Sequence, residues 1–147
     1  MKKTLISLLA CGALLTAGAE ELNWLTEVPK AQAQAKTEKK LVFLDFTGSD
    51  WCGWCIRLHK EVFSKPEFAE YAKKHLVLVE VDFPNKKKQS DELKKANQTL
   101  QAKYKIRGYP TIVVLDANGK QIGELGYMKG GPTAFIAELE KLRKQAS

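Results

Sequence analysis

Three short apolar runs constrain this 147-residue chain more than any other feature: residues 41–46 (LVFLDF), 76–81 (LVLVEV) and 111–115 (TIVVL). Each is too short for an ordinary helix and is rich in β-branched or aromatic residues, so each reads as a strand. None alternates apolar with polar residues as a strand with one wet face does. Near-continuous apolar strands belong to sheets covered by helices on both faces.

The intervening stretches supply those helices. Residues 52–63 form one, and Pro66 suits the first position of a second, with Phe68, Tyr71 and Ala72 at helical spacing. Leu93, Ala96, Leu100 and Tyr104 recur along one face of a longer amphipathic helix. Asp116-Ala117-Asn118-Gly119 is a hairpin turn into a weaker strand over 120–125. Gly130-Gly131-Pro132 opens a last helix that turns Phe135, Ile136, Leu139 and Leu142 inward. Ahead of the first run, residues 20–30 form an exposed lead-in that Trp24 and Leu25 could anchor, and Pro29 starts a helix through 31–36. The order α-β-α-β-α-β-β-α predicts a three-layer α/β fold with a central mixed sheet. Helical connections suit right-handed crossovers, and the hairpin adds an antiparallel edge.

The N-terminus reads as an export signal. Lys2 and Lys3 precede an uncharged apolar stretch over 4–16, and Ala17-Gly18-Ala19 supplies a small-x-small cleavage site before Glu20. The stretch falls short of the roughly 20 residues that span a bilayer. A lipoprotein signal ending at Cys11 is the alternative, with a shorter apolar region. On the first reading residues 1–19 are removed, and the protein is periplasmic or secreted. The formal charge of +7 then falls by the two signal lysines. The remaining excess lies in Lys73-Lys74, Lys86-Lys87-Lys88 and Lys94-Lys95, without the interleaved aromatics of a nucleic-acid platform. These are read as solvated faces with weak attraction for anionic partners, and no nucleic acid is expected.

Loss of Cys11 leaves Cys52 and Cys55 as the only cysteines, in the run Trp51-Cys52-Gly53-Trp54-Cys55. A structural framework in an oxidising compartment would show several spaced cysteines, and this pair closes too small a loop to act mainly as a staple. Its task is therefore redox chemistry or metal binding. Cys52 falls at a helix N-terminus, where unpaired N–H groups and the dipole favour a thiolate by roughly 0.3–1 kcal/mol. Cys55 lies one turn further in, placed to resolve a mixed disulfide formed on Cys52. No Lys, Arg or His stands between them. Trp51 and Trp54 flank the pair as an apolar landing surface for extended substrates, Trp51 partly buried and Trp54 at the surface. Asp45 shares strand parity with Leu41 and Phe43, so its carboxyl is directed into the core, where burial raises its pKa.

The series Phe43-Leu44-Asp45-Phe46, Trp51-Cys52-Gly53-Trp54-Cys55, Gly108-Tyr109-Pro110-Thr111, Asn118-Gly119 and Gly126 resembles thioredoxin. The likeness covers residues 38–145, and is nearest to exported single-domain thioredoxins and the thioredoxin domain of bacterial thiol–disulfide interchange proteins. It implies a thioredoxin-like domain over 38–147, preceded by the lead-in and helix over 20–37. It implies a thiol–disulfide oxidoreductase without cofactor. Cys52 is then the nucleophile, Cys55 the resolving thiol and Asp45 its proton acceptor, with Pro110 a cis-proline beside them. Gly53 with the two tryptophans, and the Tyr109 backbone, would meet substrate. Three departures stand out. Gly53-Trp54 replaces the common Gly-Pro, one extra residue separates Asp45 from Cys52, and the segment before Gly108 is longer.

Two other readings compete. A metal module would use Cys52, Cys55 and His59, which lies four residues after Cys55 on one helical face, and the cysteines alone could hold Cu(I). Four zinc ligands are hard to assemble from two cysteines and two histidines with His75 remote, and Ile56 stands where haem attachment needs His. A packed helix histidine is the plainer account of His59. A redox-inert scaffold would not need both cysteines. The expected partners are disulfide-containing or dithiol proteins and a membrane electron donor, with the protein itself a monomer and leaning to the reductant direction.

Overall fold

The structure, a computed structural model, describes residues 21–146. The export signal, its cleavage site and Cys11 lie outside the described residues. Among the described residues no helix is long and apolar enough to cross a membrane.

The elements in chain order are β1 (Trp24–Leu25), α1 (Val28–Glu38), β2 (Leu41–Thr47), α2 (Gly53–Leu58), α3 (Pro66–His75), β3 (Leu76–Asp82), α4 (Asp91–Lys103), β4 (Thr111–Leu115), β5 (Gln121–Leu125) and α5 (Gly131–Gln145). The sheet order is β1-β3-β2-β4-β5. Trp24 and Leu25 anchor the lead-in as anticipated, and do so as a short strand parallel to β3. The helix expected over 52–63 is α-helical only to Leu58 and continues as a π-helical turn, His59–Phe63.

Every residue of β2 is buried, Asp45 and Thr47 included, as a near-continuous apolar run predicts. Alternate side chains enter two separate cores. Leu41 and Phe43 face α2, α3 and α5, packing with Leu58, Phe63, Phe68, Phe135 and Leu139. Val42, Leu44 and Phe46 face α1 and α4, against Ala31, Ala35, Leu100 and Tyr104. Phe43 centres the first core, with its ring 5.6–6.3 Å from those of Trp24, Phe63, Phe68 and Phe135.

Two sequence expectations need correction. The parallel crossover holds for β2 and β3, but β4 runs antiparallel to β2, one strand earlier than the hairpin alone would place the reversal. Asp82 pairs with Thr47 and Thr111 with Phe46, so the excursion through α4 leaves and re-enters the sheet at the same edge. A chain that returns to the edge it left must run back antiparallel. On α4, Ala96 is exposed and the buried position is Asn97, whose amide donates to the Asp82 carbonyl at 2.9 Å. The inward face of α4 thus includes a polar group that apolar periodicity cannot register.

The hairpin follows the turn chemistry of its sequence. The Asp116 carboxylate accepts the N–H groups of Asn118 and Lys120, and Gly119 takes a φ of 85°. At the opposite edge of the sheet lie the ends of β2 and β3, the start of β4 and the end of β5. The candidate site sits there.

Candidate active site

The chain leaves β2 through Gly48, Ser49, Asp50 and Trp51 and enters α2 at Cys52. Cys52 is the N-cap of α2, in extended conformation, and its Sγ accepts the Cys55 N–H at 3.3 Å. A sulfur therefore fills the capping place that an oxygen side chain ordinarily takes. Cys52 and Cys55 are joined as a disulfide, with Cα atoms 5.3 Å apart. The expected contrast in shielding is small in this oxidised form: Cys52 is 7% exposed and Cys55 5%. Both cysteines are covered, and their neighbours Trp51, Gly53 and Trp54 are exposed.

The two tryptophans differ in how they are held. Trp51 is 45% exposed, yet its indole Nε1 donates to the Phe83 carbonyl at 2.7 Å and its ring meets Tyr109 edge-on at 5.9 Å. Tyr109 in turn packs on Phe83 at 5.2 Å, so three aromatics join the loops after β2, after β3 and before β4. Gly48 makes room for this arrangement: a Cβ there would lie 2.5 Å from the Trp51 ring. Gly48→Ala should displace the indole and destabilise the fold by about 1–3 kcal/mol, read as a lower denaturation midpoint with altered tryptophan emission.

Trp54 is 54% exposed and packs on Tyr127 at 4.9 Å, with the Arg57 guanidinium 5.5 Å from one ring and 5.3 Å from the other. Arg57 is itself paired with Glu61 at 2.7 Å, and the Tyr127 hydroxyl donates to the same carboxylate. The Arg57 charge on this flank is thereby neutralised. His59, expected to be a packed helix residue, is exposed on the π-helical turn, with its ring edge-on to Phe63. Among the described residues no group of three or more His, Cys, Asp or Glu could hold a metal ion.

The Tyr109–Pro110 peptide bond is cis, as the resemblance implied. The β2–β4 ladder stops at Thr111, and the Tyr109 backbone lies just beyond it. Asp45 lies where strand parity put it. It is 7% exposed, registered with Glu80 on β3 and Ile112 on β4, and on the face of β2 that carries Phe43 and meets α2. Burial, with a smaller contribution from the charges of Glu80 and Asp82, pushes its carboxyl up to about 8. Its Oδ1 has no hydrogen-bond partner. Glu80 is raised for the same reason, burial first and Asp82 second.

Several residues of this edge were not singled out in the sequence. The Asp50 carboxylate accepts the backbone N–H groups of Asn85, Lys86 and Lys87 at 2.7–2.9 Å, and these bonds hold its pKa below the usual carboxylate range. Asp82 is buried and accepts from both the N–H and the hydroxyl of Ser49. The longer segment after β3 is thereby fastened to the loop that delivers Cys52. An Asp directly before Trp-Cys was the available signal, but its partners lie 35 to 37 residues away.

Comparison with known proteins agrees with this geometry. A family described as a Thioredoxin-like domain matches residues 28–143. The chain is 37% identical over 150 residues to the disulfide bond reductase DsbH of Chlamydia pneumoniae, covering 95% of this chain and 90% of that protein. A solved DsbH oxidoreductase superposes with a TM-score of 0.80 at 35% identity, covering 98% of this chain and 95% of the other. The thiol:disulfide interchange protein DsbD of Klebsiella pneumoniae is 35% identical over 118 residues, which is 78% of this chain but 18% of that protein.

Proposed function

Because the chain belongs to the thioredoxin-like family and is a thiol–disulfide oxidoreductase of that family, we infer that it works as an exported reductase of protein disulfides. One observation carries the reading: Cys52 and Cys55 form a disulfide across the first turn of a helix, with the Cys52 sulfur on the N–H of Cys55. The same N–H, and the helix start behind it, favour negative charge on that sulfur once the bond is reduced.

In the reducing direction the Cys52 thiolate attacks one sulfur of the substrate disulfide. A mixed disulfide forms and the other substrate sulfur leaves as a thiolate. Asp45 accepts the Cys55 proton, and the resulting thiolate attacks Cys52 Sγ and releases the second substrate thiol. Two electrons pass to the substrate, and the protein ends as the Cys52–Cys55 disulfide. Trp51, Gly53 and Trp54 form the surface that meets the substrate chain, and the Tyr109 backbone beside Pro110 pairs with it in a sequence-tolerant way. The protein acts as a monomer in the periplasm or as a secreted protein, and a membrane donor returns it to the dithiol. The N-terminal charge and apolar pattern support export, and the likeness to DsbH supports the reductant direction.

The potential of the pair tests that direction. Known C-x-x-C proteins run from about −270 mV for reductants to about −120 mV for strong oxidants, and 30 mV is about 1.4 kcal/mol. Equilibration against glutathione should place this pair toward the reducing end, and a value above about −150 mV would reverse the assignment. Tight Cu(I) binding without any disulfide turnover would favour the metal module instead.

A further inference from the structure

The two flanks of the disulfide carry their cations differently. On the Trp54 side Arg57 is neutralised by Glu61, and Lys60 and Lys129 are exposed. On the Trp51 side Lys86, Lys88 and Arg107 are exposed, and none has an ion-pair partner among the described residues. Of the carboxylates on this flank, Asp50 is held by three backbone N–H groups and Asp82 is buried on Ser49, while Asp91 and Glu92 are exposed on the first turn of α4.

The cationic loop is also fixed in place. Asp50 binds its backbone at residues 85–87, Lys87 Nζ reaches Ser49 Oγ at 3.0 Å, and Trp51 closes on the Phe83 carbonyl. Asp50 is two residues from Cys52, at most about 7.6 Å along the chain. The loop that carries the lysines is thus fastened to the segment that delivers Cys52, at a range where charge guides encounter at low salt. A solvated lysine face needs no such fastening.

We propose that Lys86, Lys88 and Arg107 form a fixed cationic rim that docks an acidic stretch of polypeptide next to the disulfide being exchanged. The inference rests on the exchange reading above and adds a substrate preference to it. The partner is a polypeptide because whatever docks here must also present sulfur to Cys52. Attraction across the rim raises the encounter rate and leaves the chemical step unchanged.

The test uses the reduced, purified protein and three disulfide peptides that differ only in four flanking residues, acidic, glutamine or lysine. Rates are normalised to those with dithiothreitol, which removes differences in intrinsic reactivity. At low salt the acidic peptide should be reduced about 10-fold faster than the lysine peptide. The ratio should approach unity at about 1 M salt, where the Debye length is about 3 Å. K86E/K88E should invert it, R107E should lower it, and K30E/K36E on α1, with the same change in net charge, should leave it standing. A ratio within twofold of unity while the glutamine peptide turns over would overturn the rim and leave the exchange reading intact. An equal shift in K86E/K88E and K30E/K36E would also overturn it, because net charge would then suffice. No turnover of the glutamine peptide would overturn both.

Discussion

Cys52→Ser should reduce disulfide exchange to the uncatalysed rate, a loss of more than about 10³-fold, because the thiol at the helix cap that begins the reaction is gone. Cys55→Ser should fail differently. Its Cys52 can still attack but nothing resolves the product, so a mixed disulfide with substrate should accumulate and be visible by mass and on non-reducing gels. The contrast follows from position rather than from exposure, since both sulfurs are nearly buried in the oxidised form. Cys52 caps the helix, with its sulfur on a backbone N–H, and Cys55 lies one turn inward on the face that also buries Leu58. Steady-state turnover of both variants, with intact-mass analysis of the trapped species, checks the assignment. Undiminished turnover in Cys52→Ser would end it, and trapping by Cys55 in that variant would exchange the two roles.

The second large effect belongs to Asp45. Its carboxyl is buried without a partner for Oδ1 and titrates at about 8, well above the ordinary 3.8. The folded state therefore holds a proton that the unfolded chain has lost over the whole interval between those values. The stability tied to that proton is fully present below pH 3.8 and is lost as pH rises through about 8. The loss runs at about 1.36 kcal/mol per pH unit. Asp45→Asn removes the titration and keeps the shape. The variant should therefore gain on the wild type as pH rises, by about 4 kcal/mol between pH 5 and pH 8. Denaturant midpoints at the two pH values measure this directly, and parallel stability curves would refute the buried, protonated state.

The same substitution should slow exchange by about 10- to 10²-fold, since a positioned proton acceptor for Cys55 is lost. It should also remove the pH dependence near 8 from the rate of resolution. A structural role alone would change stability without moving that pH profile. Glu80, registered beside Asp45 and itself raised by burial, contributes to the high value, so Glu80→Gln should lower the apparent titration point of Asp45.

Much of the fold was legible because its signals are local. Near-continuous apolar residues over 41–46 and 76–81 marked strands buried on both faces. Pro29 and Pro66 fell in the first turns of α1 and α3, and the Asp-Ala-Asn-Gly turn formed as its residues dictate. Strand parity placed Asp45 on the face of Phe43. The dithiol spacing led directly to a disulfide at a helix cap. Less visible were features that depend on a distant partner. Asn97 is buried because it reaches the Asp82 carbonyl, and no hydrophobic period marks such a residue. The role of Asp50 depends on three N–H partners 35 to 37 residues away. Trp51, expected to be partly buried, is 45% exposed, and the hydrogen bond and aromatic edge that hold it come from residues 32 and 58 positions away.

Residue order alone determined that this chain builds covered strands and that two thiols stand one helical turn apart, because periodicity and covalent spacing act within a few residues of themselves. Three-dimensional packing decided that β4 runs back against β2 and that the basic loop is fastened beside the sulfurs. Those outcomes depend on groups more than thirty residues apart meeting at one edge of the sheet. Their free energy comes from contacts that exist only after the sheet has formed.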